Sequence, residues 1–224
     1  MCGRFTLKTP SAQLAEMFEQ LTIPEIVPRY NIAPTQDVLC LRVSNGQREM
    51  SLLRWGLVPF WAKDLKMGAR MINARGETVA EKPAFRSAFK KRRCLVVADG
   101  FYEWKKEADG KQPYYITRAD EQPFCMAGLW ESWRDKTNED AAPVQTCTVI
   151  TTNANELMSS LHDRMPVILD ADKQDFWLDP SFSERKPLEE ALIPYPSDEM
   201  KFVRVSKVVN KATNEVPECV VPIV

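Results

Sequence analysis

The sequence predicts an α+β fold: one domain, residues 1–224, on an antiparallel, partly barrel-like β-sheet with scattered short helices. Two observations carry this. Short apolar runs that read as strands recur along the chain and are punctuated by the hairpin signal Asn45-Gly46 and the turns Asp99-Gly100 and Asp109-Gly110. Helical periodicity appears only in brief stretches between them. No internal repeat, low-complexity tract or linker divides the chain.

Taken in order, residues 3–7 read as a short strand. Ser11 is placed to cap a helix running to about residue 20, with Leu14, Met17, Phe18 and Leu21 on one face. Residues 24–36 read as a loop and 38–43 as a strand, which Asn45-Gly46 turns into a return strand over 49–57. Trp55-Gly56-Leu57-Val58-Pro59-Phe60-Trp61 is aromatic and irregular, a core plug or a stacking platform. Residues 71–78 form a short apolar approach to an amide, a guanidinium and a carboxylate. Residues 83–91 suit a helix with Phe85 and Phe89 on its apolar side. The basic run Lys90-Lys91-Arg92-Arg93 fits a solvated helix end or a phosphate patch. Strands follow at 94–98, 101–104, 113–117, 123–130 and 145–152, with a polar loop over 132–143. Residues 153–161 read as helix, 167–169 as a strand, 171–178 and 188–192 as helices and 201–205 as the last strand. The tail, 208–224, is expected to be extended and docked.

Composition narrows the function classes. The 224 residues are 44% hydrophobic and 27% charged, ordinary for a globular protein, with a formal net charge of -1. A polyanion site must therefore be a local patch. No apolar run approaches the roughly 18 residues of a membrane span, and the start lacks the pattern of a secretory signal. The six cysteines form no CxxC pair, and there is one histidine. These features point to a reduced, cytoplasmic protein with no metal and no cofactor.

The candidate chemistry begins at Cys2. Methionine aminopeptidases generally remove an initiator that precedes a small residue, and Cys2 would then carry a free α-amine and a thiol on adjacent carbons. Their ordinary pKa values, about 7.7–8.0 and about 8.5, leave a useful fraction of each unprotonated near neutrality. The alternative is an incidental small residue after Met1. Glu103 sits between Tyr102 and Trp104, where desolvation would raise its pKa for proton transfer; strand alternation offers instead a carboxylate facing water. His162 is the one side chain that ordinarily titrates near neutrality and lies where a helix ends, though a surface or capping role explains it as well. Asn73 and Arg75 share a face of an extended segment, which suits orienting a polar group beside a phosphate, or else Arg75 pairs with Glu77.

Together these segments resemble the SRAP family, the SOS-response-associated peptidases. The resemblance runs nearly end to end. It rests on Met1-Cys2-Gly3-Arg4-Phe5, Arg29-Tyr30-Asn31-Ile32-Ala33-Pro34, Trp55-Gly56-Leu57 and Ile72-Asn73-Ala74-Arg75-Gly76-Glu77-Thr78. It continues through Ala98-Asp99-Gly100-Phe101-Tyr102-Glu103-Trp104, Leu161-His162-Asp163-Arg164-Met165-Pro166 and the segment from Val205 to Asn210. It implies a monomer that recognises abasic sites in single-stranded DNA, acting on the nucleoid. It also implies a covalent thiazolidine link through Cys2, freed of Met1, that shields the site from strand cleavage. By that resemblance Asn73 orients the terminus or the opened sugar, Glu103 is an acid/base for the amine, and His162 assists ring opening. Arg4, Arg75 and Arg164 hold flanking phosphates, Thr151 makes a lesser contact, and Trp104 and Pro34 support the site or stack. Three rival readings remain: a thiol peptidase using Cys2, His162 and Asn73; an amidotransferase with Cys2 as an N-terminal nucleophile, whose glutamine-binding segments are missing; and a reversible binder of DNA junctions.

Overall fold

The computed structural model describes residues 2–19, 21–108, 110–138 and 140–223; the expectations for Met1, Gln20 and Asp109 fall outside them. In chain order the strands are β1 (Phe5–Leu7), β2 (Arg29–Ile32), β3 (Asp37–Ser44), β4 (Gln47–Trp55), β5 (Asn73–Arg75), β6 (Arg93–Ala98) and β7 (Gly100–Glu107). They continue as β8 (Gly110–Arg118), β9 (Phe124–Trp133), β10 (Val144–Asn153), β11 (Arg164–Pro166), β12 (Ile168–Leu169) and β13 (Met200–Arg204). The α-helices are short: α1 (Ser11–Met17), α2 (Arg86–Lys91), α3 (Glu156–Ser159), α4 (Ala171–Leu178) and α5 (Arg185–Glu190).

The strands form two sheets. One runs β13-β8-β7-β1-β2. In the other, β10 pairs with β4 on one side and β9 on the other, so β10, β4, β3, β6 and β9 close into a ring. The barrel-like, α+β expectation is met by this ring and by the shortness of the helices. Two pairings depart from the antiparallel pattern: β10 runs parallel to β4 and to β5. Hairpin signals report only neighbours in sequence, whereas these partners are far apart along the chain.

Local chemistry explains the elements. Asn45 and Gly46 both take positive φ, 51° and 77°, the conformation a two-residue hairpin between β3 and β4 requires. Every residue of β6 is buried, consistent with the unbroken apolar run Cys94–Ala98. At Gly100, where the chain passes from one sheet to the other, a Cβ would lie 2.6 Å from the Ile116 carbonyl and 2.6 Å from the Tyr115 ring, so only glycine fits.

Several expectations are corrected. Residues 24–36 are not all loop: β2 forms there because β1 offers it an antiparallel partner. Ser11 is the first residue of α1, not its cap, and its hydroxyl donates to the Pro24 carbonyl and accepts the Ile26 N–H. Leu14 and Phe18 are buried, but Met17 is 40% exposed. The helix expected over 153–161 shrinks to α3, because β10 runs on through Asn153 and Asn155 caps the turn by accepting the Met158 N–H. β11 occupies part of what read as a loop end. Arg93 is no phosphate ligand: it is buried and donates to the carbonyls of Phe89, Lys90, Trp177, Asp179 and Phe182.

Candidate functional site

Trp55 ties together the two segments that carry the site. It is fully buried, so the core-plug reading holds for it, while Phe60 and Trp61 are 55% and 41% exposed. Its ring meets Phe5 edge-on at 5.0 Å, and its Nε1–H donates to the Ile72 carbonyl at 2.8 Å. Phe5 belongs to the strand that follows Cys2, and Ile72 precedes Asn73. Edge-to-face aromatic pairs add about 0.5–1.5 kcal/mol beyond burial.

The N-terminal strand then runs along β7. Phe5 lies opposite Phe101 and Thr6 opposite Gly100, and the Tyr102 N–H donates to the Arg4 carbonyl at 3.0 Å. Continuing that antiparallel register brings the residues before Phe5 alongside Glu103. Asn73 approaches from β5, which β10 holds in register through Val149. Its Nδ2 donates to the Cys2 carbonyl at 2.8 Å. Its Oδ1 is buried without a hydrogen-bond partner among the described residues. An acceptor left so costs about 1–3 kcal/mol, and a donor brought by a ligand would recover that.

The Cys2 thiol is wholly buried, and burial first and the Glu103 carboxylate second push its pKa up to about 12. With Met1 attached, the Cys2 nitrogen is an amide, so neither group is a ready nucleophile in the chain as encoded. Glu103 is only 4% exposed. Alternation does place it opposite Tyr102 and Trp104, but that face is not solvent. The other side is covered too, as Tyr102 packs with Tyr30, Tyr115, Val209 and Cys219.

The remaining expected residues divide into an exposed and an interior group. Arg75 is exposed and makes no ion pair among the described residues. The Arg75–Glu77 bridge weighed from sequence does not form; Glu77 pairs with Arg164 instead, whose hydrogen bonds are the main cause of its lowered pKa. Arg164 is itself buried, and its Nη2 also donates to the Thr151 carbonyl at 2.7 Å. Thr151 is fully buried, opposite Arg75 in the β5–β10 register, and braces Arg164 from inside. Arg4 points inward: its Nη1 donates to Asn31 Oδ1 at 2.5 Å and to the Val209 carbonyl at 2.9 Å, with Trp104 stacked 5.8 Å away. The Trp104 indole donates to Asn210 Oδ1 at 2.7 Å. Pro34 is half-buried, beside Thr35, whose N–H donates to the Trp55 carbonyl. His162 keeps 30% of its ring exposed; its Nδ1 accepts the Arg164 N–H at 3.0 Å and lies 2.7 Å from Asp163 Oδ1.

Sequence reasoning did not single out Asn31, Glu77's true partner or Glu215. Asn31 donates to the carbonyls of Val209, Lys211 and Asn214, and Glu215 accepts the backbone N–H groups of Tyr30 and Asn31. Asn31 gave no sign, because residues 24–36 read as a loop. Glu215 gave none, being distant in sequence. Among the described residues no three His, Cys, Asp or Glu side chains are arranged to hold a metal, and no helix is long and apolar enough to cross a membrane.

The family model described as SOS response associated peptidase (SRAP) matches residues 1–212. This chain belongs to the SRAP family. It is 42% identical over 224 residues to the abasic site processing protein YoqW of Bacillus subtilis, spanning 98% of this chain and 99% of that one. It is 35% identical to the abasic site processing protein HMCES of Gallus gallus, across 100% of this chain and 78% of the relative. A crystal structure of a protein from Bacteroides thetaiotaomicron superposes with a TM-score of 0.88 at 28% identity, with each chain covered in full. The two-sheet arrangement of this SRAP chain is therefore one that solved structures share.

Proposed function

We propose that this SRAP protein captures abasic sites in single-stranded DNA and links to them covalently through Cys2 after Met1 is removed. The observation that carries the reading is the seating of Cys2: its carbonyl is held by Asn73 and its thiol lies close enough to Glu103 to feel the carboxylate, in a chain whose relatives process abasic sites.

The chemistry balances without a cofactor. The ring-opened abasic sugar presents an aldehyde. The Cys2 amine adds to its carbon, and loss of one water gives an imine. The thiol sulfur then bonds to the same carbon, its proton passes to the nitrogen, and a five-membered thiazolidine closes. Nitrogen and sulfur stand two carbons apart, so closure is intramolecular and favoured by proximity. The ring removes the imine through which strand cleavage would proceed. Glu103 moves the protons of amine addition and water loss, and His162 those of sugar opening. Asn73 holds the terminus in line. Arg75, exposed beside this strand, is the direct phosphate ligand; Arg164 reaches a phosphate only by sharing or giving up Glu77. Phe60 and Trp61 offer exposed rings to unpaired bases, Arg4 and Trp104 brace the segment that follows Cys2, Thr151 braces Arg164, and Pro34 precedes the Thr35 N–H that bonds the Trp55 carbonyl.

The peptidase reading is less well supported. In a Cys–His–Asn set the amide orients the imidazole. Here Asn73 Nδ2 bonds the Cys2 carbonyl and His162 Nδ1 accepts from Arg164. The deciding experiment incubates protein lacking Met1 with single-stranded DNA carrying one abasic site, followed by a denaturing gel. A heat-stable protein–DNA band is expected, absent from Cys2→Ala and from protein that retains Met1. An undiminished band from Cys2→Ala would overturn the mechanism.

A further inference from the structure

We propose that Glu77 and Arg164 form a positioning pair that sets the tautomer of His162, keeping the proton of its neutral ring on Nε2. This rests on the function proposed above for its catalytic consequence, though not for its geometry. Glu77 receives Arg164 in a two-pronged pair, Nη1 to Oε1 and Nη2 to Oε2, the second at 3.0 Å. Nη1 also donates to Asn153 Oδ1 at 3.1 Å and Nη2 to the Thr151 carbonyl at 2.7 Å. A planar guanidinium gripped on both prongs has little freedom to rotate or slide. Arg164 also opens β11, opposite Asn153 on β10. Its backbone is thus fixed from two directions, and that backbone N–H is the donor to His162 Nδ1 at 3.0 Å.

A ring nitrogen that accepts an N–H carries no proton, so the hydrogen of the neutral imidazole sits on Nε2. Asp163 offers the opposite arrangement, since its Oδ1 lies 2.7 Å from the same Nδ1 and would accept a proton placed there. One nitrogen cannot serve both. The Asp163 side chain is 84% exposed, so water competes for it and its pull is weak. The Arg164 N–H begins a buried strand and is anchored by a buried side chain. The geometry favours Arg164. His162 then meets the closed sugar with a donor on Nε2 while Nδ1 stays engaged, which is the form that can hydrogen-bond the ring oxygen as its C–O bond breaks, the proton released by the hemiacetal hydroxyl ending on that oxygen. Neither Glu77 nor Arg164 has to touch the substrate for this.

The chain contains a single histidine, so ¹⁵N labelling of histidine in the full-length protein yields one imidazole spectrum. The expected result above the ring's titration is an unprotonated Nδ1 and a protonated Nε2. Glu77→Gln should bring in the other tautomer. It should also slow crosslinking by about tenfold or more, without weakening binding to single-stranded DNA carrying an unreactive tetrahydrofuran abasic analogue. Arg164→Lys, which keeps the charge and loses the fork, should shift the spectrum the same way, and circular dichroism verifies that each variant is folded. Asp163→Asn should leave the tautomer unchanged. A wild-type ring protonated at Nδ1, a folded Glu77→Gln with the wild-type spectrum, or a flip in Asp163→Asn would each overturn the proposal. Failure of the wild-type protein to crosslink would remove the proposed function and leave the tautomer assignment to the spectrum.

Discussion

The Asn73 side-chain amide donates to the Cys2 carbonyl at 2.8 Å, linking a three-residue strand to the second residue of the chain, 71 positions earlier. A terminal residue ordinarily frays, because nothing beyond it holds it. This bond holds the Cys2 backbone directly, and the register of β1 against β7 anchors the chain from Phe5 onward. Asn73→Ala should therefore slow crosslinking more than it weakens DNA binding, by roughly ten- to a hundredfold, as loss of positioning does at a reacting centre. Single-turnover crosslinking rates against affinity for the tetrahydrofuran analogue measure the split. Equal losses in both would make Asn73 a DNA ligand instead.

Glu103 lies within electrostatic reach of the Cys2 thiol inside a closed site. Glu103→Gln keeps the shape and removes the carboxylate proposed to carry protons. Crosslinking should fall by about a hundredfold, the usual contribution of a positioned acid or base, with DNA affinity near that of wild type. An unchanged rate would strip Glu103 of its role.

How much of this was legible follows from what each residue depends on. The β3–β4 hairpin was readable because Asn45 and Gly46 state their own backbone conformation. Cys2, Asn73, Glu103 and His162 stood out for the chemistry their side chains offer, and the structure brings the Asn73 amide onto the Cys2 carbonyl. The burial of Glu103 was not readable, because alternation tells which residues share a face and not whether that face is covered. Here long-range packing of both faces of β7 decided it. The pairing of Arg164 was hidden for the same reason. A guanidinium reads as a phosphate ligand until its partner is known, and Glu77 reaches it only because β5 and β11 flank β10. The parallel pairing of β4 with β10 likewise left no local mark.

Arg75 is exposed, and its charge also helps to lower the Glu77 pKa. If it holds a phosphate, Arg75→Ala should weaken binding to single-stranded DNA and make it less salt-dependent. The slope of log K against log [salt] should shrink by about 0.7, the share of one neutralised phosphate on a single strand. Titrations at several salt concentrations give the slope. A lower affinity with an unchanged slope would argue against a phosphate ligand at this position.

Alkaline pH should destabilise the fold through its buried thiols. Burial pushes Cys2 and Cys125 each up to about 12, well above the ordinary thiol range. The folded pKa is the higher one, so the folded state keeps these protons while the unfolded chain loses them. Stability is fully present below pH 9 and declines as pH rises toward 12, by up to about 1.4 kcal/mol per pH unit for each thiol. Denaturant unfolding at increasing pH measures the slope. Cys125→Ala should flatten it relative to wild type, whatever its effect on stability at neutral pH, and a slope indifferent to that substitution would contradict the assignment.

Trp55 is where fold and function meet in one side chain, packing on Phe5 and bonding the Ile72 carbonyl. Trp55→Phe leaves a cavity in the core and removes the indole donor, and each effect is felt on a segment of the site. The expected cost is about 2 kcal/mol, a transfer and cavity loss plus one hydrogen bond. Because the loosened partners lead to Cys2 and Asn73, crosslinking should slow beyond what the fraction of unfolded protein explains. Thermal melting together with crosslinking rates measured well below the melting transition separates the two effects. A variant that loses stability yet crosslinks at the wild-type rate when folded would show that Trp55 supports the core without positioning the site.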